Sequence, residues 1–181
     1  MNKVIISLLC IFGFSFSAVT GMLVDSGSGV FLSARVMNID SDVNDSIDPA
    51  LGISFGHVMD SGLEFALTYM VEHGYWDDYN PMNLTVDYHI NDNMFFGLNL
   101  MDFTDDSDLG WDYKTIHAAY HTETNAFINL DYNLDVEEDE ISLEFGKLFK
   151  MNDTITLGAS YAANASDLDL GFIFVTIGST F

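Results

Sequence analysis

The chain has 181 residues, of which 28 are acidic and five basic, a formal charge of −23 at pH 7. That balance excludes a nucleic-acid-binding surface, because the bases outside the N-terminal leader are only Arg35, Lys114, Lys147 and Lys150. A hydrophobic content of 49% with the single cysteine Cys10 allows much apolar surface but no disulfide framework.

Residues 1–17 read as an export signal. Lys3 gives the positive start, Val4 to Phe14 the apolar run, and Ser15-Phe16-Ser17 a small-x-small cleavage motif, with the cut expected within 17–21. The run is shorter than the ~20 residues a spanning helix needs. Leu9 before Cys10 argues against a lipoprotein signal, which wants a small residue there. Residues 22–181 then form one domain.

That domain alternates apolar and polar residues in ten stretches, the signature of half-buried strands. In chain order the apolar pleat carries Val30 to Val36, Leu51 to Phe55, Leu63 to Val71, Met82 to Ile90, and Met94 to Leu100. It continues with Ile116 to Tyr120, Ala126 to Leu134, Ile141 to Phe145, Ile155 to Tyr161, and a closing segment from Gly171 to Phe181. Asp60-Ser61-Gly62, Asn91-Asp92-Asn93, Thr122 to Asn125 and Met151-Asn152-Asp153 predict tight turns. Longer links are expected at 39–48, 73–81, 103–111, 135–140 and 164–168. Most strands have the ~9–11 residues a tilted strand needs to cross a bilayer. Short turns at one end and long loops at the other are the pattern of a transmembrane barrel.

The polar pleat decides orientation. Ser33, Ser54, Thr68, Asn83, Thr85, Asn99, Asn129, Asn133, Ser142, Thr154, Thr156 and Ser160 are small and uncharged, unlike the exterior of a soluble barrel. Turned inward they fill a narrow lumen while the apolar pleat meets hydrocarbon. Aromatics gather near both strand ends, with Tyr69, Tyr132 and Tyr161 loopward and Tyr88, Phe96, Tyr120, Phe149 and Phe181 turnward. Two such girdles mark the membrane interfaces.

In signal, girdled strands, loop alternation and aromatic terminus, the chain resembles the small outer-membrane β-barrel proteins of Gram-negative bacteria. The fold class expected is all-β: a closed antiparallel up-and-down transmembrane barrel of ten strands, or of eight if the second strand and a neighbour are misread. The resemblance implies that Phe181 is the signal read by the barrel-assembly machinery. It also implies an outer-membrane location among lipid and lipopolysaccharide, a monomer, and no cofactor.

Five ionisable groups besides two histidines lie on the polar pleat, giving the lumen set Arg35, Glu64, Asp87, His89, His117, Asp131 and Glu144. Buried charges must pair, so Arg35 among carboxylates is a natural hub, and the set reads as a packed plug or as a cation-selective constriction. His117, His121 and Glu123 raise the question of a hydrolase, but Thr122 and Thr124 stand where a serine is wanted and the turn faces the periplasm. Asp40, Asp42, Asp45 and Asp48 open like a calcium loop. Asp45 replaces the required glycine and Leu51 the twelfth-position glutamate, so only a loose divalent site remains.

Nineteen of the 28 acids fall in or beside the long links and four in the short turns. The outer mouth is thus expected to be strongly negative, repelling lipopolysaccharide unless divalent cations intervene. The function read from the sequence is a non-enzymatic structural and surface barrel; a narrow cation or small-solute channel is the alternative, and a lipid-modifying enzyme the third.

Overall fold

The computed structural model describes residues 29–38, 50–71, 82–102, 113–134 and 141–181. It contains ten strands: β1 (Gly29–Asn38), β2 (Ala50–Val58), β3 (Leu63–Val71), β4 (Met82–Asn91), β5 (Met94–Asp102), β6 (Tyr113–His121), β7 (Ala126–Asn133), β8 (Ile141–Lys150), β9 (Ile155–Asn164) and β10 (Asp167–Thr180). Each pairs antiparallel with its chain neighbours, and β1 pairs with β10, so the sheet closes on itself. Ten strands, not eight, make the barrel. Closure leaves no row of unpaired backbone groups, the condition a sheet must meet in hydrocarbon.

The last residue takes part in that closure. Phe181 N–H donates to the Val30 carbonyl at 2.9 Å, while its ring is 80% exposed at the turn end. Asparagine side chains shape several of the turns. Asn91 Oδ1 accepts from Asn93 N–H, Asn152 Oδ1 from the N–H groups of Thr154 and Ile155, and Asn164 Oδ1 from Ser166 N–H.

Two expectations of the chain reading are corrected. The link at 164–168 is a two-residue turn at Ala165-Ser166, so β10 starts at Asp167, not Gly171, with a register shift between the two. Asn164 carries the capping side chain that a tight turn needs, and the shift leaves residues 168–170 as an irregularity opposite the end of β9. Thr154 is exposed in the turn before β9 and does not enter the lumen. Residues 1–28, including the signal, and the links holding Asp40, Asp42, Asp45 and Asp48 lie outside the described residues.

The two faces sort as an inside-out protein. Phe55, Ile173 and Val175 project outward and are each 57% exposed, with Phe96, Phe145 and Ile177 also more than half exposed. Inward, Thr68, Thr85, Asn99 and Asn129 are at most 1% exposed. Greasy outside and polar inside is what a barrel surrounded by hydrocarbon requires. Outward rings meet near the strand ends, as Tyr88 with Phe96 at 6.0 Å and Phe145 with Tyr161 at 5.6 Å between centroids.

Candidate functional site: the ionisable row of the lumen

Register places the lumen charges on one row. Glu64 of β3 pairs with Asp87 of β4, Asp87 with Gly97 of β5, and Gly97 with His117 of β6. His117 then pairs with Asp131 of β7, and Asp131 with Ser142 of β8. Because barrel strands tilt, a row running across them climbs. This one starts two residues into β3, near the turn end, and reaches the second residue of β8, near the loop end.

Gly97 makes the row continuous. A Cβ there would fall on Asp87, 2.8 Å from its Cα and closer still to its carboxylate. Without it, Asp87 and His117 reach over β5 from either side, bringing His117 Nε2 to 2.9 Å from Asp87 Oδ1. Neither atom has another hydrogen-bond partner among the described residues. Thr85 Oγ1 donates to Asn99 Oδ1 at 2.8 Å, which turns the Asn99 amide nitrogen toward His117 Nδ1 at 3.1 Å. In that arrangement Nδ1 accepts, and the ring proton sits on Nε2 facing Asp87.

At the turn end His89 stacks on Phe95 with centroids 5.0 Å apart and places Nε2 2.7 Å from Glu64 Oε2. The directly opposed carboxyls Glu64 and Asp87 thus each have an imidazole. Farther round, the Asn129 amide donates to Asp131 Oδ2, and Ser160 Oγ donates to Glu144 Oε1 at 2.5 Å. Among the described residues Glu64 Oε1, Asp87 Oδ2 and Asp131 Oδ1 have no hydrogen-bond partner.

Of the sequence-derived set, Glu64, Asp87, His89 and His117 come together directly. Asp131 follows on the same row and Glu144 lies one row down, opposite Asn129. The backbone of Arg35 pairs with Gly52 and Thr176; its side chain lies outside the described residues. No three His, Cys, Asp or Glu among the described residues are arranged to hold a metal ion.

What the chain reading missed is the apolar half of the lumen. Phe31, Val58, Phe95, Phe127 and Leu148 are buried at the turn end and form one cluster with Ala66 and Ala119. Phe172 and Phe174 of β10 are buried as well. Their signal was present as parity, since Phe31, Phe95 and Phe127 share the pleat of the polar residues. His121 lies at the end of β6, where its carbonyl accepts from the Asn93 amide, and Glu123 is exposed in the following turn. Thr122 Oγ1 is engaged by Thr124 Oγ1 and the Ala126 carbonyl.

No protein-family model matches this chain, and no curated protein does. Among solved structures it is similar to the Salmonella typhi outer membrane phospholipase dimer with bound calcium, at 10% identity and a TM-score of 0.40, over 91% of this chain and 97% of that one. A triple mutant of the Rh. blastica porin matches at 18% identity and a TM-score of 0.37, over 90% of this chain and 58% of that one. An engineered protein of asymmetric conductivity matches at 17% identity and a TM-score of 0.37, over 86% of this chain and 52% of that one. The chain thus spans little more than half the length of the porin and the engineered protein.

Proposed function

We propose that this protein is a sealed, non-enzymatic barrel of the Gram-negative outer membrane, with a structural role in the envelope and acidic loops presented outward. The observation that carries this is the filling of the lumen: an apolar cluster occupies its turn end, and buried polar side chains, joined by Met101, Phe172 and Phe174, occupy the rest. A lumen filled by its own side chains leaves no aqueous path. The reading takes the first 17 residues as the export signal, Phe181 as the mark for assembly, and lipid as the main partner of a monomeric barrel. Divalent cations would bridge the acidic loops to lipopolysaccharide.

A cation channel is the second reading, favoured by the carboxylate oxygens of Asp87 and Asp131 that lack hydrogen-bond partners inside the lumen. Conductance in planar bilayers separates the two. The sealed barrel, folded and heat-modifiable, passes no steady current; steady cation-selective current that changes with Asp87→Asn would overturn that reading in favour of the channel.

A further inference from the structure

The lipid-facing surface carries an unusual row that starts at the turn end of β7 and climbs to the middle of β9. Ala126 of β7, Lys147 of β8 and Ala159 of β9 pair in register and all lie on the outward pleat. Loopward of it runs the row Ile128, Phe145, Tyr161, whose two rings are in contact. Turnward lies Phe149, paired with Leu157. Two alanines between bulky rows make a shallow trough, with one ammonium at its centre.

Lys147 has no carboxylate partner among the described residues; its one contact is its own strand's Phe149 ring, 5.7 Å from Nζ. A cation held at the edge of hydrocarbon needs an anion or water to take its charge. Cross-strand neighbours without polar atoms cannot supply it. The rim at this end is also unlike the loop end, with only Asp60, Asp92, Glu123 and Asp153 in its turns. Glu123 and Asp153 stand in the two turns next to the trough and Lys150 at the end of the strand that carries Lys147, so an anion meets far less negative charge here than at the loop end.

We infer that the Ala126–Lys147–Ala159 trough binds the phosphate of a glycerophospholipid in the periplasmic leaflet, with an acyl chain running along Phe145 and Ile128. The inference rests on the membrane reading above. Lys147 supplies the charge and the alanines give the headgroup room, while Phe149 of the turnward girdle lies beside the ammonium. Such a site pins the height of the barrel at the leaflet that the acidic loops do not touch.

The full chain is folded into phosphatidylcholine vesicles doped with phosphatidylglycerol, and lipids retained after detergent extraction are counted by native mass spectrometry. Lys147→Gln retains about five-fold less phosphatidylglycerol, the worth of one interfacial cation. Lys147→Arg retains it as the parent does, and Ala159→Phe, which fills the trough from an outward position, also loses it. Undiminished retention in Lys147→Gln overturns the site. Displacement of the lipid by inorganic phosphate, or preferential retention of lipid A through Lys147, overturns the assignment to a periplasmic-leaflet lipid. Folding is scored first by heat-modifiable migration: a parent chain that never enters vesicles overturns the membrane reading, and this site with it.

Discussion

Toward the turn end the lumen is filled by Phe31, Phe95, Phe127, Val58 and Leu148, whereas toward the loop end the same pleat face is mostly polar, carrying Ser33, Ser54, Thr68, Asn83, Thr85 and Asn99 beside Met101, Phe172 and Phe174. Both ends are filled by buried side chains, of different kinds. The apolar end uses large rings set over small partners: a Cβ at Gly56 would collide with the Phe31 ring, and one at Gly146 would meet Phe127. The polar end uses short side chains that bond to each other, as Ser54 and Thr68 share a hydrogen bond at 2.7 Å. Between them lies the ionisable row. Packing therefore orders one end, and hydrogen bonding much of the other.

Breaking the apolar end costs most. Phe127→Ala removes a buried ring that Gly146 leaves no neighbour able to replace, and lowers the unfolding free energy by about 3–5 kcal/mol. Urea titration of the barrel in vesicles measures it. A loss under about 1 kcal/mol would show that the turn end is not where packing is concentrated.

Next comes the boundary between the two regions. His117→Leu or Asp87→Val alone leaves a buried polar group without its partner and costs about 3 kcal/mol. The double variant costs less than either, because removing both members of a buried pair leaves no charge stranded. Strict additivity in the same titrations would mean that the 2.9 Å contact over Gly97 carries no coupling.

Much of this design is legible in the chain. Period-two alternation located all ten strands, because each face meets one environment along its whole length. Asn, Asp and Gly clusters mark the turns because Asn and Asp side chains bond their own backbone and Gly and Asn reach positive φ. The ionisable side chains were named for the same reason, but their order was not: Glu64, Asp87, His117 and Asp131 share a row through register, which pairs residues whose spacing in the chain differs at every step. Phe31, Phe95 and Phe127 were passed over because a phenylalanine suits either face of a barrel, and only closure shows that one end of the lumen is apolar. The turn at Ala165-Ser166 was hidden by the acids around it, which read as loop.

Orientation itself can be tested a step lower in energy. Val175 of β10 is 57% exposed near the middle of the outward band, between Val36 of β1 and Ala159 of β9. Val175→Arg costs about 2–4 kcal/mol if that face meets hydrocarbon. On a water-facing surface the same change is within about 0.5 kcal/mol. The comparison is made by urea titration in vesicles, and a near-zero cost there would turn the barrel's apolar face away from lipid.

The smallest effect concerns the link between the turns and the lumen. Gly62 has φ of +82° and accepts the His89 N–H at 2.8 Å, while His89 in turn holds Glu64. A side chain there is strained twice, since its Cβ would also lie 2.9 Å from the His89 carbonyl oxygen. Gly62→Ala therefore costs about 1–2 kcal/mol by the left-handed backbone alone. Asn125, at φ of 60°, occupies the same backbone region in the turn before β7 with a residue that tolerates it. Its N–H donates to the Thr122 carbonyl and its own carbonyl accepts from Leu148 N–H, so the turn is held by backbone bonds that survive a change of side chain. Asn125→Gly accordingly moves the midpoint little in the urea titration that registers Gly62→Ala. Equal and large losses at both turns would place the strain in the hairpins themselves, and not in what the first hairpin does for His89.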